Sequence, residues 1–390
     1  MILPKDLRGD WSYPTAIRFG PGRIGELADA CRSLGMARPL LVTDPGLAAL
    51  PMVRSALKSN AAAGLPTGKF ADIQGNPVGA NVVDGVAAYR NGGHDGVIAF
   101  GGGSAIDAAK TIALMAVQDR PLWDFEDIGD NWKRIAVDRA IPVVAVPTTA
   151  GTGSEVGRAS VILDEATMTK KVIFHPSMMP AIVIADPHLT LGLPKGVTAA
   201  TGMDALAHCL EAFCAPAFHP IADGIALEGL RLVRDWLPAA YRDGGDLAAR
   251  AHMMVAASMG ATAFQKGLGA VHAISHPVSA HHGVHHGLAN AILLPYVLKY
   301  NRPAIADKMV RLGRVLGLDD PSFDGVQAWL LDLRRTLDIP HCFGDIGVTG
   351  GDADRVAQSA LIDPTAATNP ARLDKAVLKR IFLDCVAGKL

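Results

Sequence analysis

The sequence predicts an α/β domain on an open parallel sheet over residues 1–193, followed by an all-helical domain over residues 194–390. Three observations carry that prediction. Short β-branched apolar runs recur through the first half, and they are continuous rather than alternating, as strands are when helices cover both faces of a parallel sheet. Helical patterns separate them, which gives a βαβ rhythm. From about residue 195 the strand-like runs fade, and Ala-, Leu- and Met-rich helical patterns follow one another.

In chain order, IGELADACRSLG (24–35) reads as a helix and PLLVTD (39–44) as a buried strand. NVVDGVAAYRNGG (81–93) reads as a helix that stops on glycine. DGVIAFGGGS (95–104), IPVVAVPTT (141–149) and AIVIAD (181–186) are further buried strands. The boundary falls near 190–196, at LTLGLPKG. Helices are then expected over 197–214, 221–237, 246–264, 268–280, 286–300, 323–336 and 371–387, broken by turns such as APAFHP and YRDGGD.

Composition narrows the function classes. A net charge of −1 and no long Lys/Arg run argue against a nucleic-acid partner. The most apolar runs, PVVAVP and MMVAASMGATAF, fall short of the ~18 residues that a membrane span needs. Five scattered cysteines without a CxxC pair read as reduced, buried thiols. The opening MILPKDLRGDWSYP has no apolar stretch behind a basic one, so no signal peptide is expected and the cytoplasm is the expected location.

Two strand-to-loop junctions carry nucleotide chemistry. VIAFGGGSAIDAAK (97–110) is an apolar strand, then Gly101, Gly102, Gly103 and Ser104, then a helix opening with Asp107 and Lys110. Glycines admit a ligand close to the backbone, and the helix N-terminus offers free N–H groups and a positive dipole end to phosphate. VPTTAGTGSEV (146–156) sets Thr148, Thr149, Thr152 and Ser154 around Gly151 and Gly153. Each alone would serve as an ordinary turn; together they sit where ligands bind in open α/β sheets, beyond the strands' carboxyl ends. Asp44, ending an early strand, suits both ribose hydroxyls of an adenosine and repels a 2′-phosphate, which favours NAD over NADP.

The metal candidates lie in the second half. TGMDALAHCLEAF (201–213) carries Asp204 and His208 at i and i+4, on one helix face. GLGAVHAISHPVSAHHGVHHGLAN (267–290) holds six of the chain's 13 histidines. His272/His276, His281/His285 and His282/His286 are all i, i+4 pairs, and spacing alone does not choose among them. Pro277 and Gly283 end the 268–280 helix near 280, and the next helix opens at 286–288. His272 and His276 then line one face, His286 starts the next helix, and His281, His282 and His285 occupy the connecting turn. Three neutral imidazoles and one carboxylate suit Fe(II) or Zn(II) better than Mg or Ca.

Taken in order, GGGSAIDAAK, PTTAGTGSEV, GMDALAH, GLGAVHAISHP and HHGLANAILLPYVL resemble the iron-containing (group III) alcohol dehydrogenase family. The resemblance implies a Rossmann-like dinucleotide-binding domain and an all-α catalytic domain, the fold shared with dehydroquinate synthase, with the active site in the cleft. It implies a divalent metal, Fe2+ or Zn2+, held by Asp204, His208, His272 and His286, with His276 as an additional active-site histidine. On the cofactor side it implies Asp44, Asn76, Gly102, Gly103, Ser104, Thr148, Thr149, Thr152, Val161 and Lys170, the last beside Lys171. It implies a homodimer. The run AFQKGLGAVH departs by one residue from the commoner AFSNAGLGLVH, which affects the pocket near Phe264 and Gln265.

The implied chemistry is reversible oxidation of a small alcohol to an aldehyde or ketone, with the metal as Lewis acid, the nicotinamide taking the hydride and His276 in a proton relay. Maleylacetate reductase and glycerol dehydrogenase chemistry are the alternatives on a similar fold, and the complete Asp/His/His/His set argues against both. A dehydroquinate-synthase-like lyase would need a basic cluster for a phosphorylated substrate, and none is seen. A non-catalytic NAD or metal sensor has no need of a metal and a nicotinamide facing one cleft.

Overall fold

The computed structural model describes residues 9–11, 15–136 and 140–390; most of the opening stretch from which no signal peptide was expected lies outside them. Contacts divide the chain into two compact units. One comprises the chain up to Gly192 except for Ala150–Thr152, and the other comprises Ala150–Thr152 with Leu193–Leu390.

In the first unit the strands are β1 (Gly9–Trp11), β2 (Ala16–Phe19), β3 (Leu40–Val42), β4 (Gly68–Phe70), β5 (Val97–Gly101), β6 (Val143–Pro147), β7 (Ala159–Asp164), β8 (Thr169–Phe174) and β9 (Ile182–Ala185). Its helices are α1 (Leu27–Ser33), α2 (Pro45–Ala48), α3 (Pro51–Ala62), α4 (Gly79–Asn91) and α5 (Gly103–Met115). Seven strands form one sheet in the order β1-β2-β9-β6-β5-β3-β4. β3, β5, β6 and β9 are buried along their whole length, which is why their sequences are unbroken apolar runs. The sheet is parallel except at its edge, where β1 runs antiparallel to β2.

β3 pairs with β4 on one side and β5 on the other, so the chain reverses its direction across the sheet at the carboxyl ends of β3 and β5. Such a switch point is where an open α/β sheet leaves a crevice for a ligand. The β7–β8 ribbon stands apart as a two-stranded antiparallel sheet that the sequence reading did not anticipate. Its TKKVIF strand carries two adjacent lysines, and Lys171 is accommodated by Asp164 at 3.1 Å and Glu126 at 3.2 Å.

The second unit is helical among its described elements: α6 (Lys195–Cys214), α7 (Pro220–Arg242), α8 (Leu247–Ala263), α9 (Ala270–His282), α10 (His286–Val315), α11 (Phe323–Thr336), α12 (Ala353–Ile362) and α13 (Lys375–Ala387). α6 is buried without interruption from Thr198 to Cys214 and packs against α7, α8 and α10. A helix apolar on all sides must sit inside a bundle, and this one is its axis.

Two helices run further than their prolines suggest. α9 continues through Pro277 to His282 and ends at Gly283 in the left-handed conformation (φ 66°). His281 and His282 therefore form its last turn rather than a connecting turn. α10 passes Pro295 and Pro303 and extends to Val315, well beyond 300. A proline removes one helical hydrogen bond. Here the flanking residues, Ser275–Ser279 and Leu293–Leu298, are buried, and their packing holds the helix. α12, preceded by the glycine-rich VTGGDAD, was not anticipated.

Gly287, in the first turn of α10, lies against the backbone of α6. A Cβ there would meet the Ala200 carbonyl oxygen at 2.3 Å. Only a glycine lets the start of α10 approach α6 this closely.

Candidate metal centre

The middle of α6 is the wrong place for charge unless something compensates it. Asp204 and His208 project there one turn apart, with Asp204 Oδ1 4.0 Å from His208 Nε2. α9 brings His272 Nε2 to 3.9 Å from the same oxygen, and the first residue of α10 brings His286 Nε2 to 3.7 Å. Among the described residues, ligand atoms of Asp204, His208 and His272 lie within 4.8 Å of one another, a spacing that fits a metal ion. Donors ~2.0–2.2 Å from one tetrahedral ion lie ~3.3–3.6 Å apart. The observed distances are slightly wider, within reach of small side-chain rotations. His286 keeps 24% of its side-chain surface exposed, against 5% or less for the other three, so the cluster opens on that side.

The donor chemistry fits a cation. Burial pushes the His208 imidazolium down to about 4, so this ring is neutral at pH 7, as a ligand must be. His272 donates Nδ1–H to Glu211 Oε2 at 2.6 Å, which leaves its Nε2 lone pair facing Asp204. Burial lowers the His272 imidazolium, but Glu211, with Asp204 and Asp363 behind it, outweighs that and raises it overall. With their Nε2 protons lost, the imidazoles and the Asp204 carboxylate would offer only lone pairs to the space they share, the donor set a divalent cation takes.

Residues beyond the sequence-predicted set complete the arrangement. Glu211 also accepts Val271 N–H at 2.8 Å, so one carboxylate fixes both the His272 ring and the start of its helix. It lies three residues after His208, a spacing that was readable on the helix face. His276 stacks on His286 with ring centroids 5.2 Å apart and donates Nδ1–H to Asp363 Oδ2 at 2.7 Å. Burial would raise the Asp363 carboxyl, but His276 and the Thr365 hydroxyl and N–H hold it below its ordinary value. Asp363 is 87 residues from His276 in sequence, and no spacing signal announces it. His282 turns to Asp352 at 3.2 Å, and His285 stands at the N-cap position of α10, its side chain making no capping bond there.

The cofactor candidates of the first unit gather at the switch point. Asp44 caps α2, its Oδ1 accepting Leu47 N–H at 2.9 Å, and Oδ2 lies 3.8 Å from where a Cβ of Gly101 would stand. Gly102 is the N-cap of α5 and Gly103 its first residue. Ser104 donates its hydroxyl to the Gly75 carbonyl at 2.9 Å, which ties the turn holding Asn76 to the glycine loop. Thr148 N–H bonds to Gly101 O at 2.9 Å, while Thr149 packs beside Gly102. Thr152 falls in the short segment that clusters with the helical unit.

Val161 pairs with Val172 and Leu163 with Lys170, so Val161 and Lys170 share the less buried face of the β7–β8 ribbon, opposite Lys171. Lys110 and Ser154 prove structural. Lys110 Nζ is buried against the carbonyls of Ser154, Gly157 and Ala159, and Asp107 takes the Ser154 hydroxyl and Val161 N–H.

The chain is similar to known proteins over nearly its whole length. Residues 14–187 match the family model for iron-containing alcohol dehydrogenase, and residues 198–386 match the model for the C-terminal part of the Fe-containing alcohol dehydrogenase family. The chain is 44% identical to a 4-hydroxybutyrate dehydrogenase of Cupriavidus necator, covering 95% of this chain and 98% of that protein. It is 34% identical to a 1,3-propanediol dehydrogenase of Klebsiella pneumoniae, covering 96% and 97%. Among solved structures it superposes on a 1,3-propanediol oxidoreductase with a TM-score of 0.89 at 34% identity, covering 94% and 96%. It also superposes on the sulfoacetaldehyde reductase of Bifidobacterium kashiwanohense in complex with NAD+, with a TM-score of 0.86 at 27% identity, covering 97% and 98%.

Two expectations follow for metal binding. Glu211→Gln, which loses the charged acceptor of His272 Nδ1–H, should weaken Zn(II) binding ~10–100-fold by calorimetric titration; an unchanged affinity would show that Glu211 only packs. Because His272 must lose its Nε2 proton to bind a cation and its affinity for that proton is raised, metal affinity should fall as pH drops, starting above pH ~6.5. A titration series flat from pH 8 to pH 6 would contradict that sign.

Proposed function

Because the chain belongs to the iron-containing alcohol dehydrogenase family and is an NAD(P)-linked alcohol oxidoreductase of it, we propose that Asp204, His208, His272 and His286 hold its divalent metal, Fe(II) or Zn(II), and that it works with NAD on a small alcohol or aldehyde. The single observation behind this reading is the convergence of one buried carboxylate oxygen and three imidazole Nε2 atoms within 3.7–4.0 Å of that oxygen. When bound, the ion supplies Lewis acidity toward an alcohol or carbonyl oxygen, and NAD(H) supplies the hydride chemistry.

The protein's own part is binding, orientation and proton handling. His276 gives its Nδ1–H to Asp363, so Nε2 is left to take the hydroxyl proton during oxidation and return it during reduction. Asp44 offers a carboxylate at the switch point, where it accepts the adenosine ribose hydroxyls and repels a 2′-phosphate. Asn76, Gly102, Gly103, Ser104, Thr148, Thr149, Thr152, Val161 and Lys170 form the rest of the proposed nucleotide site, with the pyrophosphate at the N-terminus of α5. The relative named for 4-hydroxybutyrate makes an ω-hydroxy acid the first substrate to try, followed by 1,3-propanediol and simple primary alcohols. Five buried free thiols support a reducing, cytoplasmic setting. A homodimer is the assembly we propose, to be read from light scattering.

The testing experiment is a panel of these alcohols and their aldehydes with NAD(H) and NADP(H), followed by NADH absorbance after reconstitution with Fe(II) or Zn(II). His208→Ala and His272→Ala should each abolish turnover on every substrate; full activity in either variant after metal stripping would falsify the ligand assignment. Asp44→Gly should lower kcat/KM with NAD and raise it with NADP, shifting the preference by ~10-fold or more, or ~1.4 kcal/mol. An unchanged preference would remove Asp44 from the ribose site.

A further inference from the structure

Asn290 is fully buried, one turn after His286 on α10, and so shares its face. Its carboxamide nitrogen lies 2.7 Å from Asp204 Oδ1 and 3.2 Å from both His272 Nε2 and His286 Nε2. Its carboxamide oxygen is buried with no hydrogen-bond partner. Every hydrogen bond of this side chain therefore goes to atoms of the candidate metal centre.

The orientation of the amide follows from its neighbour. An ionised carboxylate only accepts, so the NH2 end must face Asp204; the reverse would set two acceptors against each other. Asp204 Oδ1 is the oxygen nearest all three imidazoles, and Asn290 supplies the one hydrogen bond to the Asp204 side chain recorded among the described residues. A carboxylate oxygen has two lone pairs. With one held by the amide N–H, the other is directed at the space the imidazoles share.

We propose that Asn290 is a positioning residue of the metal centre, selecting Oδ1 of Asp204 as the ligating oxygen and fixing its direction through the carboxamide N–H. The inference rests on the metal-site reading above. Asn290 acts through Asp204 and need not touch substrate. A buried asparagine retained only for packing has no reason to aim its donor at Asp204 and leave its buried acceptor unpaired, an arrangement that is costly. Orientation of a ligating carboxylate is what such a donor contributes in metal sites, and its loss typically weakens binding ~10–100-fold.

The test is Co(II) titration of the EDTA-treated full-length protein, following the visible d–d absorption, in wild type and Asn290→Leu. The apolar side chain nearly preserves volume and removes the donor. The expected result is a Kd weakened ~10–100-fold with an altered d–d band, because the carboxylate no longer presents one fixed oxygen. Wild-type affinity and an unchanged band in the variant would overturn the proposal, since a packing role predicts both. If Asn290→Leu does not fold, as judged by lost NADH binding and lost cooperative melting, Asn290→Ala carries the same expectation and the same overturning result. A wild-type protein that binds no Co(II), Zn(II) or Fe(II) would instead sink the metal-site reading itself, so the two failures are distinguishable.

Discussion

An apolar helix buried on every side carries, at its centre, a carboxylate and two further polar groups that cannot be solvated. α6 contributes Asp204, His208 and Glu211 to the interior of the bundle. Removing charge from water is costly unless partners replace it, and much of the second unit supplies those partners. α9 lays His272 against both Glu211 and Asp204. α10 starts where Gly287 allows its backbone onto α6, which brings His286 and Asn290 to Asp204. The site and the core are thus one packing problem: the contacts that bury α6 also place the donors.

The charges form two rings with different tasks. The inner one is Asp204 and the three imidazole Nε2 atoms, all lone pairs. The outer one is Glu211 and Asp363, each accepting an Nδ1–H from an inward-facing histidine. A carboxylate on Nδ1 fixes the tautomer and turns the Nε2 lone pair inward, so the outer ring decides what the inner ring offers. The same pairing has a different consequence for each histidine. His272 presents Nε2 to Asp204. His276, one turn later, is held by Asp363 with its ring stacked on His286.

The sequence disclosed the axis of this arrangement more readily than its supports. Asp204 and His208 were legible because helical period puts i and i+4 on one face, and the strands β3, β5, β6 and β9 because doubly covered strands are continuous apolar runs. Among the six clustered histidines, spacing left three pairs open, the expected helix breaks narrowed them to His272, His276 and His286, and resemblance to a family chose His272 and His286 as ligands. Proline was overvalued as a stop: at Pro277 and Pro295 one lost hydrogen bond is outweighed by buried neighbours, and α10 also runs on past Pro303. Asp363 was invisible, since a contact across 87 residues leaves no periodic trace. The β7–β8 ribbon was hidden because its lysines read as surface until Asp164 and Glu126 are seen to hold one of them. Lys110 was misleading in the opposite sense, a cation near a phosphate-type loop that is spent on three backbone carbonyls.

Relatives named for different alcohols and aldehydes match nearly the whole chain, so overall similarity alone does not set a substrate. The shortened stretch AFQKGLGAVH is where this sequence departs from the family pattern, and its lysine invites a role in binding an acidic substrate. The structure removes that option. Lys266 is buried, paired with Asp223, and donates to the Phe213 carbonyl at 3.2 Å. Lys308 donates to Phe213, Cys214 and Ala215 at the same helix end. Two ammonium groups thus satisfy the last carbonyls of α6 and oppose its negative dipole end, which stabilises the helix that bears Asp204 and His208. Ahead of His272 in that stretch, Phe264 lies against the cluster, its ring centroid 5.1 Å from that of His208. The lysine of the departing stretch is thus spent on the end of α6, while the apolar ring of Phe264 is what the stretch sets beside His208.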